Sequence, residues 1–207
     1  MSAAGSRSLI DRAYRTFDRL SRYHEIAEVG GIARRYFAMN AFDGVLTSLG
    51  ILVGAFVGGV EQASTVISVV AAAAASMGVS GAYGSYLIER AERGRALREL
   101  EESTLSRLRD TDIGAASRYA SVVIGIIDGL SPAIASAIIL IPFFVVGSGH
   151  VHAAFYAGGA IAFVELFGLG MFLGRVSRQS LIFAGLKLVV AGVVSLGLSL
   201  LLNVGKL

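Results

Sequence analysis

Apolar residues in this chain gather into five long blocks, Tyr36–Val60, Ala63–Ile88, Tyr119–Val146, Val151–Gly174 and Ser180–Asn203, with short polar stretches between them. Each block is 24 to 28 residues long, and roughly twenty residues carry an α-helix across the hydrocarbon core of a bilayer. The pattern predicts five transmembrane helices and an all-α polytopic membrane protein. It divides the chain into an N-terminal segment over 1–35, a helix pair over 36–88, a charged segment over 89–118 and three further spans over 119–203.

The polar stretches have patterns of their own. Residues 8–24, "SLIDRAYRTFDRLSRYH", space Ile10, Ala13, Tyr14, Phe17 and Leu20 as a helix would, with Arg12, Arg15, Arg19 and Arg22 mostly between them. This predicts an amphipathic helix, either lying along the cytoplasmic membrane surface or packed on the cytosolic loop. After span two, "ERAERGRALRELEESTLSRLRDTD" carries both signs of charge and extends the helix into the cytoplasm. Glu89 with Glu92, and Glu99 with Glu102, have the three-residue spacing that stacks carboxylates on one face, which suits cytoplasmic capture of a cation. The alternative is a solvated face on which arginines neutralise the glutamates.

Composition agrees with the pattern. Hydrophobic residues make up 55% of the chain against 16% charged, a balance that excludes an ordinary soluble domain. Seven arginines precede Tyr36, seven lie between Arg90 and Arg118, and Arg175 and Arg178 separate spans four and five. With five spans these segments share one side, so the positive-inside rule puts the N-terminus in the cytoplasm. That rule accounts for the basic balance, which therefore signals no nucleic-acid partner. The first 35 residues contain no apolar core of signal-peptide length. The absence of cysteine excludes disulfides and thiolate metal ligands.

Four ionisable residues fall inside the predicted spans: Asp43, Asp128, Glu165 and Lys187. A charge at the bilayer centre costs about 2.5 to 3.5 kcal/mol on insertion scales, so such residues face protein, water or a cation. Counted from the block ends at 1.5 Å per residue, all four lie roughly 10 to 14 Å below the cytoplasmic boundary. Met77 is slightly deeper, and its thioether either packs or tilts a carboxylate site toward first-row transition metals. Asp43 shares a helical face with Asn40 and Thr47 as supporting polar groups, and Gly50, Gly54 and Gly58 continue that face for close helix approach. Asp128 precedes Pro132 by four residues, where the proline removes a helix hydrogen bond and frees the Asp128 carbonyl. Lys187 offers an ion pair to Glu165 or to an aspartate, which would make that acid structural. The histidines of "HVH" at 150–152 stand in the short external loop as metal-exit groups or as ordinary loop residues. "FDGVLTS" at 42–48 and "IDGLSPA" at 127–133 each follow an Arg-Tyr pair, which suggests a parallel internal repeat of two-helix units.

Several of these stretches resemble the vacuolar iron transporter family: "RRYFAMNAFDGVLTSLGILVG" in span one, "AAAAASMGVSGAYGSY" in span two with a charged helix after it, and the five-span layout with a basic N-terminus. The resemblance covers residues 34–118 well and the last three spans more loosely. It implies proton-coupled export of ferrous iron, and often manganese, by a homodimer with a site between subunits. It implies that Asp43 and Met77 line the path and that the glutamates after span two gather metal. Three features depart from the family pattern. Ala82 stands where the family has a glutamate, the cytoplasmic segment is too short for a three-helix metal-binding domain, and Asp128 and Glu165 match no family signature.

The expectation is a multi-pass transporter in a prokaryotic cell membrane that moves ferrous iron or manganese, with zinc and cobalt within reach of the same ligands, out of the cytoplasm. Asp43, Met77, Asp128 and Glu165 would form the path. Proton antiport would follow because a carboxylate in low dielectric exchanges a proton for a metal. A non-transporting scaffold or sensor with structural buried ion pairs is the alternative. An enzyme is not expected, since neither a Ser/His/Asp set nor a His-Glu-x-x-His motif is present.

Overall fold

A computed structural model describes residues 18–145 and 150–204, the side chains of 203 and 204 excepted. The amphipathic reading of residues 8–24 falls mostly outside the described residues. Every regular element described is helical: α1 over residues 18–26, α2 Val29–Val57, α3 Ala63–Thr104, α4 Asp112–Val145, α5 Val151–Val176 and α6 Leu181–Val204. The last five are each long and apolar enough to cross a membrane. The chain is an all-α polytopic membrane protein.

The helices run past the apolar blocks. α2 begins seven residues before Tyr36, α4 begins at Asp112, and α3 continues to Thr104 through most of the arginine- and glutamate-rich stretch. Arg, Glu, Ala and Leu are among the best helix formers, so loss of hydropathy does not stop the helix. Asp112 in the first turn of α4 meets the positive end of the helix dipole. What stops α2, α3 and α5 is a left-handed residue followed by an amide that reaches back five positions: Val60 N to Ala55 O (3.0 Å), Ser106 N to Glu101 O (3.2 Å) and Gln179 N to Gly174 O (2.9 Å). Only the first uses glycine, Gly59 at φ +69°; the others place Leu105 (φ 51°) and Arg178 (φ 55°) there.

The chain divides into two compact units. The first comprises residues 1–34 and 82–127. Its buried apolar residues are Val29, Ala33, Ala116, Ala120 and Ile124. A Cβ on Gly125 of α4 would come within 2.9 Å of Ala82 O and 3.1 Å of Tyr86 Cβ, so glycine is what lets α3 and α4 touch there. The turn between them is tied by Glu101, whose Oε1 accepts the amides of Leu108 (2.6 Å) and Arg109 (3.0 Å). Arg118 Nη1 donates to Arg109 O at 3.0 Å.

The second unit, residues 35–81 and 128–207, holds the larger core. Val45, Leu49 and Leu52 of α2, Val66 and Val70 of α3, Ile139, Leu140 and Phe143 of α4, and Phe155, Ala162 and Leu166 of α5 pack into one cluster. α6 joins through glycines. A Cβ on Gly170 would fall 2.5 Å from Ala184 O, and one on Gly185 would fall 2.6 Å from the Phe167 ring. Between lipid-facing helices, close backbone approach of this kind replaces the hydrophobic force available in water.

Candidate functional site

The site is built on the seam between α2 and α4 in the second unit. Asn40 Nδ2 donates to Asp128 Oδ1 and, at 3.3 Å, to Tyr36 O of its own helix. One turn on, a Cβ at Gly44 would lie 2.7 Å from Pro132 Cα. One turn further, the hydroxyls of Ser48 and Ser136 meet at 2.9 Å. The three pairs keep a constant offset of 88 positions. A constant offset over two turns means that α2 and α4 run parallel, with residues four apart facing the partner each time.

α3 closes the third side of Asp128. A Cβ at Gly81 would stand 3.3 Å from Asp128 Oδ2 and 3.4 Å from its backbone oxygen, and one at Gly78 would stand 2.8 Å from Gly129 O. Glycine at 81 therefore makes room for the carboxylate, and glycine at 78 for the α4 backbone beside it. Asp128 is buried, with 4% of its surface exposed, and Ser131 and Ser136 on the same helix are buried with it. Met77 adjoins Gly78 and lies one turn before Gly81, half-buried.

The other predicted path residues are placed differently. Asp43 is exposed, one residue and so about 100° around the helix from Gly44. Asn40, read as a companion of Asp43, is instead the partner of Asp128, and Thr47 is half-buried. The Asp-Gly pairs are 85 positions apart in sequence, three short of the helix register, so the two aspartates do not face one another across the seam. Of the glycines that extend α2, Gly50 has only Ser199 Oγ near its missing Cβ, at 3.8 Å, and Gly54 has nothing within 4 Å.

Glu165 of α5 has both carboxylate oxygens shut off from solvent and without a hydrogen-bond partner among the described residues. Its proposed pairing with Lys187 is not formed. Lys187 is exposed and sets its Nζ 5.0 Å from the Phe183 ring centroid, a cation–π contact one turn along its own helix. Spacing along the chain sets the two residues at one level, but the Lys187 ammonium is taken up on its own helix. Among the described residues, no three His, Asp or Glu side chains converge to hold a metal. The protein therefore presents a buried aspartate on a three-helix seam, an orphaned glutamate on α5 and an outward aspartate on α2, each as a separate feature.

The glutamates after span two also differ from a stacked acidic face. Glu89 is buried and paired with Arg93 (Oε2 to Nε, 3.0 Å), and Glu99 is exposed and paired with Arg95 at 2.8 Å. Arg93 in addition donates to Ala27 O at 3.3 Å. Glu92 and Glu102 are exposed. Arginine neutralisation is thus the arrangement adopted by Glu89 and Glu99. At the start of α5, His152 sits edge-on to Phe56 with ring centroids 5.8 Å apart, and His150 is exposed.

The seam serines and the Glu101 clamp were not legible in the sequence. Serine in an apolar helix reads as filler, and nothing local distinguishes Glu101 from its neighbour Glu102.

Against known proteins, the chain is 30% identical over 163 residues to the "Uncharacterized protein MJ0645" of Methanocaldococcus jannaschii, a match that spans 77% of this chain and 83% of the relative. The chain belongs to the family of that archaeal protein. No family model and no solved structure matches it. The match extends over most of both chains, so the membrane-spanning body and not one local motif is what the two share.

Proposed function

We propose that this protein is a transporter of the vacuolar iron transporter type that exports a divalent transition metal, ferrous iron or manganese, from the cytoplasm of a prokaryotic cell by proton antiport. The observation that carries this reading is the Glu165 carboxylate, closed off from solvent in an apolar helix and without a hydrogen-bond partner among the described residues. A carboxylate in such a place costs free energy unless a proton or a cation occupies it in turn, and that exchange is what antiport requires. Asp128 supplies a second carboxylate, held in place by Asn40 on a seam of glycine and serine. Asp43, outward in a single chain, suits a path completed by a second copy, as a homodimer would provide. The N-terminus and the α3–α4 and α5–α6 turns face the cytoplasm in this reading, following the arginines. A scaffold whose acids are tied in ion pairs is the weaker reading, because Glu165 and Lys187 are apart.

The test is metal flux into proteoliposomes with a trapped dye and an imposed pH gradient, with ferrous iron, manganese, zinc and magnesium offered in turn. Flux of iron or manganese that quickens with the gradient in wild type and disappears in Glu165→Gln is the expected result. Folded wild type giving no flux above empty liposomes for any metal would overturn the proposal.

A further inference from the structure

The first unit contains a cavity of about 690 Å³ between the C-terminal part of α3 and the N-terminal part of α4. Four arginines line it, Arg90, Arg98, Arg109 and Arg118, against a single acid, Glu101. That acid is already engaged: its Oε1 accepts the Leu108 and Arg109 amides and so holds the turn that carries Arg109. Among the described residues none of the four arginines forms an ion pair, although Arg93 and Arg95 on the same helix do. Arg118 and Arg90 are steadied by Arg109 O and by the Tyr86 hydroxyl, which orients them without neutralising them. The floor has room, because Gly94 meets nothing within 4 Å where a Cβ would be.

Four like charges kept around one cavity repel each other, and such an arrangement is stabilised by an anion. Guanidinium groups bind phosphate oxygens through paired donors, more strongly than they bind water. The position narrows the anion further. Arg90 follows the apolar block that ends at Ile88 and Arg118 precedes the one that starts at Tyr119, so both stand at the membrane boundary on the arginine-rich side. Lipid headgroups occupy that level, and basic pockets between transmembrane helices hold anionic ones. Leu87 and Leu97 give the cavity an apolar wall that suits an amphiphile.

We infer that this cavity is a binding site for a phosphate group, supplied by the headgroup of an anionic lipid. Its role is separate from the α2–α4 seam and does not depend on what the protein transports.

The experiment is native mass spectrometry of the detergent-purified full chain offered phosphatidylglycerol and phosphatidylcholine in equal amounts, with a parallel thermal-unfolding series in inorganic phosphate. Wild type is expected to retain phosphatidylglycerol in preference. The double variant Arg98→Gln/Arg109→Gln is expected to lose about thirtyfold in affinity, from roughly one surface-charge interaction per arginine. Gly94→Leu, which fills the cavity and leaves every charge, should lose a comparable amount. Arg34→Gln/Arg35→Gln, which removes the same charge elsewhere, should bind as wild type does. A thermal shift with inorganic phosphate that Arg98→Gln/Arg109→Gln abolishes, without any lipid preference, would keep the phosphate site and assign it to the free anion. Equal retention of both lipids with no phosphate effect would overturn the inference, as would an equal loss in Arg34→Gln/Arg35→Gln.

Discussion

Asp43 and Asp128 occupy the same dipeptide in two similar apolar runs, yet one is exposed on α2 and the other is buried on α4 against Asn40 and Gly81. The difference comes from register. The sequence repeat has a spacing of 85, whereas the helices pair at 88, and three residues turn a helix by about 300°, enough to send equivalent side chains to different neighbours. Similarity of local sequence thus establishes a common helical element and says little about what either helix faces. Two carboxylates that look interchangeable differ in the free energy of removing them.

The largest effect should come from breaking the seam itself. Gly44→Val drives a branched side chain into the Pro132 backbone and is expected to destabilise by about 3 kcal/mol, the upper range for overpacking. Gly54→Val, on the open part of the same helix, should change unfolding in detergent by less than about 0.5 kcal/mol. Comparable losses in both variants would mean that α2 has no privileged face.

Truncating the aspartates comes next. Asp128→Ala takes the second acceptor from the half-buried Asn40 amide, leaving it Tyr36 O alone, and should cost about 1 kcal/mol. Asp43→Ala, at an exposed position, should cost no more than about 0.5 kcal/mol in the single chain. If Asp43→Ala abolishes metal flux while its unfolding curve is unchanged, the outward acid acts in a path and not in the fold.

Glu165 sharpens the comparison from the other direction, because among the described residues it has no partner to lose. Glu165→Met should raise stability by about 1 kcal/mol, since an unsatisfied buried polar group is exchanged for a fitting apolar one. A destabilised Glu165→Met would show that the carboxylate has a structural partner after all. The smallest effect is the coupling across the seam. Double-mutant cycles for Asn40 with Asp128 and for Ser48 with Ser136 should each give about 0.6 kcal/mol, the average for such pairs between membrane helices. Zero coupling for both pairs would contradict the register.

The five spans were legible because hydropathy is a property of each segment alone. Their ends were not, because α3 and α4 continue through charged residues that favour helix as much as the apolar ones do, and because Leu105 and Arg178 close helices where a glycine would have marked the stop. Within the site, the sequence identified Asp128 and Asn40 but joined Asn40 to Asp43, since helical spacing groups residues on one element and is blind to the partner element. The same limit applies to Glu165 and Lys187, which spacing sets at one depth and which form no ion pair among the described residues. Spacing makes Glu89 and Glu92 a pair, yet packing buries the first and exposes the second.

The pairing of α2 with α4 at an offset of 88 is the claim on which these contrasts rest, and the chain's lack of cysteine gives a clean way to test it. The variants Ser48→Cys/Ser136→Cys and Ser48→Cys/Ala133→Cys would be oxidised in membranes, and their remaining thiols counted by maleimide labelling. Loss of both thiols in the first variant, with the second still fully labelled, is the predicted outcome. Protection of the second variant and not the first would place the two Asp-Gly pairs in matching positions and contradict the account.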